Sequence, residues 1–96
     1  MKKYLKKGAN YLNYGEDCLN DKAKKIILSD KEFNYGLHQD ADYGISSDTV
    51  IRLAKQLGFF DDDEDFAAFE QNLAIIATNE TGKQWITTEG LIIDEN

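Results

Sequence analysis

The chain contains no proline, one cysteine, one histidine and one tryptophan in its 96 residues. Without proline, internal repeats or low-complexity stretches, nothing marks a linker or a domain boundary, and one domain spanning residues 1–96 is expected. A lone Cys18 cannot close an intramolecular disulfide, which removes the staple on which small secreted domains depend and favours a reducing compartment. Long apolar runs are also missing. The longest, Leu73 to Ala77, falls far short of a membrane span. Lys2, Lys3, Lys6 and Lys7 imitate the start of a secretory signal, but no apolar stretch of signal-peptide length follows, so a cytoplasmic, non-membrane protein is expected. The seven glycines (Gly8, Gly15, Gly36, Gly44, Gly58, Gly82 and Gly90) are scattered singly. They make no phosphate-cradling loop.

Acid is what the chain has in excess. Eighteen Asp and Glu against eleven Lys and Arg give a net charge of −7. The imbalance is uneven: residues 1–31 hold eight lysines against four acids, a balance of +4, whereas residues 32–96 hold three bases against fourteen acids, a balance of −11. The densest stretch is Asp61, Asp62, Asp63, Glu64 and Asp65, set between Phe59–Phe60 and Phe66. A disordered acidic tract has few aromatic neighbours, so this run is expected to decorate a folded element.

Periodicity places the elements. Val50, Leu53, Ala54 and Leu57 recur at helical spacing, with Ser46 or Ser47 as N-cap, Asp48 in the first turn and Gly58 as the left-handed stop. A second helix starts in the acidic run and carries Phe66, Phe69, Leu73 and Ile76 on one face, with the helix favoured to about Ile76. A strand over residues 73–78 is the alternative, because Ile75, Ile76 and Thr78 are β-branched and Asn79-Glu80-Thr81-Gly82 has turn composition. Residues 84–88 and 91–94, joined by Glu89–Gly90, read as a β-hairpin. Lys24 to Ser29 reads as a helix end or a strand through Ile26, Ile27 and Leu28, and residues 7–15 read as turns, with Tyr4, Leu5, Tyr11, Leu12 and Tyr14 supplying apolar packing. The expected fold is α+β: two or three helices packed on a small antiparallel sheet with a C-terminal hairpin.

Chemistry is sparse. As an EF-hand loop, residues 61–72 fail, with Phe66 where glycine belongs and Asn72 where a bidentate Glu belongs. Asp40, Asp42, Gly44 and Asp48, with Ser46, are spaced to gather oxygens around Ca²⁺. They equally make a polar loop before a capped helix, and that plainer reading is preferred. Cys18 and His38 are the sole thiol–imidazole combination, and a semi-buried cysteine with a surface-loop histidine is the plainer account of them. No pair of carboxylates is singled out for acid–base work. No catalytic residue, metal or cofactor is therefore expected, and the chain is read as non-enzymatic.

The order of a helix over residues 46–58, a second helix and a hairpin resembles, loosely, that of a winged helix-turn-helix, with residues 85–93 similar to the wing. Such a resemblance implies a DNA-binding regulator. Against it, the two helices carry Arg52 and Lys55 opposite Asp48, the acidic run and Glu70, where a basic stripe is needed. The inverse reading is preferred: a small acidic protein-binding domain whose helix-borne carboxylates imitate nucleic-acid phosphates and occupy the basic groove of a nuclease or other nucleic-acid-binding protein. In charge and size it is similar to phage and mobile-element inhibitors of restriction enzymes or CRISPR effectors. The expected contacts are Asp61, Asp62, Asp63, Glu64, Asp65 and Glu70, with Asp40, Asp42 and Asp48 secondary. Direct nucleic-acid binding is not expected. The alternative is an adaptor or regulator that docks through an aromatic patch of Phe59, Phe60 and Trp85.

Overall fold

The computed structural model describes residues 4–8, 16–38, 44–88 and 90–94. These form four helices and two strands in the order α1 (Asp21–Ser29), α2 (Lys31–Leu37), α3 (Ser47–Leu57), α4 (Asp63–Thr81), β1 (Trp85–Thr88) and β2 (Leu91–Asp94). The class is α+β with a C-terminal hairpin. Its helices exceed the two or three expected.

The extra helices are α1 and α2. In α1 the Asn20 side chain accepts from the Ala23 N–H at 3.0 Å, and Ala23 and Ile27, one turn apart, are both buried. The Ile26–Ile27 pair has strand propensity, but a good cap and an i, i+4 buried pair override it. Asp30 is extended (φ −70°, ψ 127°) and serves both helices: its N–H bonds the Ile27 carbonyl and its carboxylate caps α2 through the Phe33 N–H.

Helix α3 follows its sequence signals. The Ser46 hydroxyl accepts from the Thr49 N–H, Val50, Leu53, Ala54 and Leu57 are buried, and Gly58 ends the helix at φ 84°. Asp62 caps α4, which runs through residues 73–78 and on to Thr81, with Gly82 at φ 75° beyond it. The strand alternative for 73–78 is therefore excluded, and Asn79-Glu80-Thr81 is the last helical turn. Leu73, Ile76 and Ala77 are buried, so one apolar face continues past the β-branched residues. Two threonines of the final turns then seat the hairpin: Thr78 Oγ1 accepts from the Trp85 backbone N–H at 3.1 Å, and Thr81 Oγ1 accepts from Trp85 Nε1 at 2.8 Å.

Strands β1 and β2 pair antiparallel, from Trp85↔Asp94 to Thr88↔Leu91, with Gly90 at φ 81° in the connection. Ile45 adds a further antiparallel bridge to β2, its N–H and C=O both bonded to Ile92 at 2.7 and 3.0 Å. Gly44 makes this approach possible. At φ 55° it lies so close to β2 that a Cβ would collide with the Ile92 carbonyl oxygen. Near the N-terminus a bridge between Leu5 and Leu19 holds residues 4–8 against the segment leading into α1. Tyr4 and Leu5 pack on the core as expected, whereas Tyr11, Leu12 and Tyr14 lie outside the described residues. The helices and hairpin enclose one apolar cluster that includes Ile27, Phe33, Leu53, Phe59, Phe69 and Ile92.

Candidate protein-interaction surface

The acidic run joins α3 to α4. Gly58 turns the chain, the Phe59 N–H bonds the Ala54 carbonyl at 2.8 Å, and the Phe59 ring stacks on Phe69 at 5.1 Å between centroids. That buried stack fixes the base of the loop. Asp62 Oδ1 accepts from the Asp65 N–H at 2.8 Å, so this carboxylate is spent on capping the helix. Asp61, Asp63 and Glu64 are exposed and Asp65 is half-buried. Acidic side chains at a helix N-terminus meet the positive end of the macrodipole, a favourable placement that supports the start of α4.

The other expected contacts lie elsewhere. Glu70 sits about two turns along α4, half-buried, and burial pushes its carboxyl above the usual range. Asp48 is exposed in the first turn of α3. The run follows the other end of that 11-residue helix. Asp40 and Asp42 lie outside the described residues.

Among the described residues, the ion pairs of the basic third lie away from this surface. Lys6 and Lys24 both bind Asp17, at 3.3 and 2.7 Å, within their own segment. Burial raises the Asp17 carboxyl, but Lys24 and Lys6 outweigh it and hold the pKa below the ordinary value. Arg52 turns the other way and binds Asp30 at 2.8 Å and Glu32 at 3.0 Å. Its guanidinium holds Asp30 below the usual carboxylate range. Among the described residues no ion pair joins a lysine or arginine to Asp61, Asp62, Asp63 or Glu64. Helix α4 itself carries five acids and no base.

Aromatic anchors are fewer than the sequence suggests. Phe59 is fully buried and Trp85 is 4% exposed, both in the core, because each is fixed by partners on α4. Phe60 alone of the three is open, at 41%. Its ring meets Phe66 edge-on at 5.3 Å, and Lys55 Nζ stands 5.0 Å from its centroid.

The candidate chemistry has structural explanations. Cys18 is buried, its thiol bonded to the Glu16 carbonyl, and burial together with the Glu16 and Asp17 charges raises its pKa. A nucleophilic thiol needs the opposite. His38 is exposed at the end of α2. Ser46 is engaged as a cap, and among the described residues no group of three or more His, Cys, Asp or Glu is placed to hold a metal ion. Among the described residues, too, no helix is long and apolar enough to cross a membrane. One polar residue escaped sequence reasoning: Asn72, fully buried, accepts from the Cys18 N–H at 2.8 Å and donates to the Ala68 carbonyl at 3.0 Å. Comparison with known proteins adds no relative, since no protein-family model, curated protein or solved structure matches the chain.

Proposed function

We propose that this chain is a non-enzymatic protein-binding domain that presents the acidic start of α4 to a basic groove, and that in its most specific form it occupies a nucleic-acid-binding protein by charge mimicry. The observation that supports the reading is the exposure of Asp61, Asp63 and Glu64 at a capped helix end, with no ion pair to the chain's own bases among the described residues. Phosphate mimicry needs carboxylates held apart from their own counter-ions on a rigid support, because prepaid ordering keeps the cost of binding low. The stacked Phe59 and Phe69 and the Asp62 cap supply that support. Docking through an aromatic patch is less favoured, since Phe59 and Trp85 belong to the core.

The test is capture from a cell extract on immobilised protein, eluted by a salt gradient, beside the triple variant Asp61→Asn, Asp63→Asn, Glu64→Gln. Asp62 is left intact because it caps α4. Nucleic-acid-binding proteins released by moderate salt, competed by duplex DNA and lost with the variant are the expected result. Recovery that the variant and the DNA leave unchanged would refute the reading.

A further inference from the structure

Helix α4 leaves a second feature on the same face as its acidic start. Glu64, Ala67, Gln71, Ala74, Ile75 and Thr78 follow three- and four-residue steps, so they share one stripe of the helix. Where the stripe meets β1 it opens into a groove of about 180 Å³ lined by Gln71, Ala74, Ile75, Thr78, Asn79, Gln84 and Trp85. The volume is below the ~300–1,000 Å³ of small-molecule sites and suits one side chain. Its apolar lining is Ala74, Ile75 and Trp85. Around it stand the amides of Gln71, Asn79 and Gln84, which offer both donors and acceptors to a peptide backbone. No charged residue lines it.

We infer that this groove receives a single apolar side chain of a protein partner whose basic residues reach Glu64 on the same stripe and Asp63 beside it. The inference rests on the proposed reading of the acidic end and adds the register of the partner. From Glu64 to the Ala74–Ile75 step the helix rises about 15 Å. An extended peptide covers that in about four to five residues. The partner segment therefore carries an apolar residue and, four to five positions away, arginine or lysine. Charge complementarity fixes the polarity: the end of the stripe at the α4 N-terminus is acidic and the groove end is neutral. The apolar anchor supplies binding by desolvation, largely independent of salt. The basic end supplies orientation and rate.

The experiment is a display selection of random dodecapeptides on the folded protein, followed by affinity measurement of the best peptide at low and high salt. Selected peptides are expected to pair an apolar residue with arginine or lysine at the stated spacing. Ile75→Glu is expected to weaken the best peptide at least tenfold at either salt. Asn79→Trp, which fills the groove from an exposed rim position, is expected to do the same and guards against misfolding of the first variant. Asp63→Asn with Glu64→Gln is expected to weaken it at low salt only. Basic peptides that lack an apolar anchor and ignore both groove variants would overturn the groove and leave the acidic reading standing. Apolar peptides without basic residues would overturn the pairing and that reading together, as would a selection with no enrichment over an unrelated protein.

Discussion

Asn72 shows how much a single buried amide can organise. Its side chain ties the backbone of Cys18, 54 residues away in sequence, to the middle of α4. Removing it takes away the amide acceptor of the buried Cys18 N–H, at a cost of ~1–3 kcal/mol. Urea unfolding of Asn72→Ala is expected to show a loss in that range, and unchanged stability would mean that the amide is replaceable by water. The glycines separate two physical effects. Gly58 and Gly44 both have positive φ, but a Cβ at Gly58 meets nothing within 4 Å, whereas one at Gly44 strikes the Ile92 carbonyl. Gly58→Ala is expected to cost only the left-handed strain, about 1–2 kcal/mol. Gly44→Ala is expected to cost more and to loosen the Ile45–Ile92 bridge. Equal midpoints in denaturant for the two variants would contradict this. Gly58 was legible in the sequence because it follows an amphipathic run. Gly44 was not, because its reason is a strand some fifty residues later.

At the scale of elements, the parts legible in the sequence were those whose signals are local. Helix α3 announced its cap, stripe and stop, and the hairpin announced its turn. Helix α1 and the second half of α4 were ambiguous, since Ile26–Ile27 and Ile75–Ile76 favour a strand until burial of a helical face decides otherwise. The same reasoning sets the importance of Asp62. Its carboxylate is the α4 cap, so Asp62→Ala is expected to destabilise the protein by about 1 kcal/mol, whereas Asp61→Ala is expected to be nearly neutral; thermal melts of the pair compare them. Glu70, on the flank of α4, gives a pH dependence. Its folded pKa is raised by burial, so the stabilisation is complete below the unfolded value of roughly 4.3 and fades as pH rises through the folded value. Glu70→Gln is therefore expected to raise stability at neutral pH and to make no difference in acid. The salt-bridged Asp30 runs the other way: its lowered pKa contributes stability above roughly pH 4, lost as the pH falls further. An unfolding profile against pH that is flat for both wild type and Glu70→Gln would contradict the assignment.

Over the whole molecule the sequence asymmetry of charge becomes a division of partners. The lysine-rich first third satisfies Asp17 and leaves Lys22, Lys25 and Lys31 exposed, while Asp30 at its end and the adjoining Glu32 take up Arg52. Within a molecule of 37 × 23 × 23 Å, Asp61, Asp63 and Glu64 stand exposed with no ion pair to a base among the described residues. The charge map was legible in the sequence, but the separation was not, because ion pairing depends on which helices meet. Asp48 illustrates the limit: it adds to the same acidic composition, but it sits at the far end of α3 from the run.

The most direct test of the central claim is the affinity of the protein for a captured nucleic-acid-binding partner across a salt series, for wild type and for the Asp61→Asn, Asp63→Asn, Glu64→Gln variant. A steep fall of affinity with salt, flattened and weakened in the variant, is the predicted result. An affinity that ignores both salt and the three substitutions would contradict it.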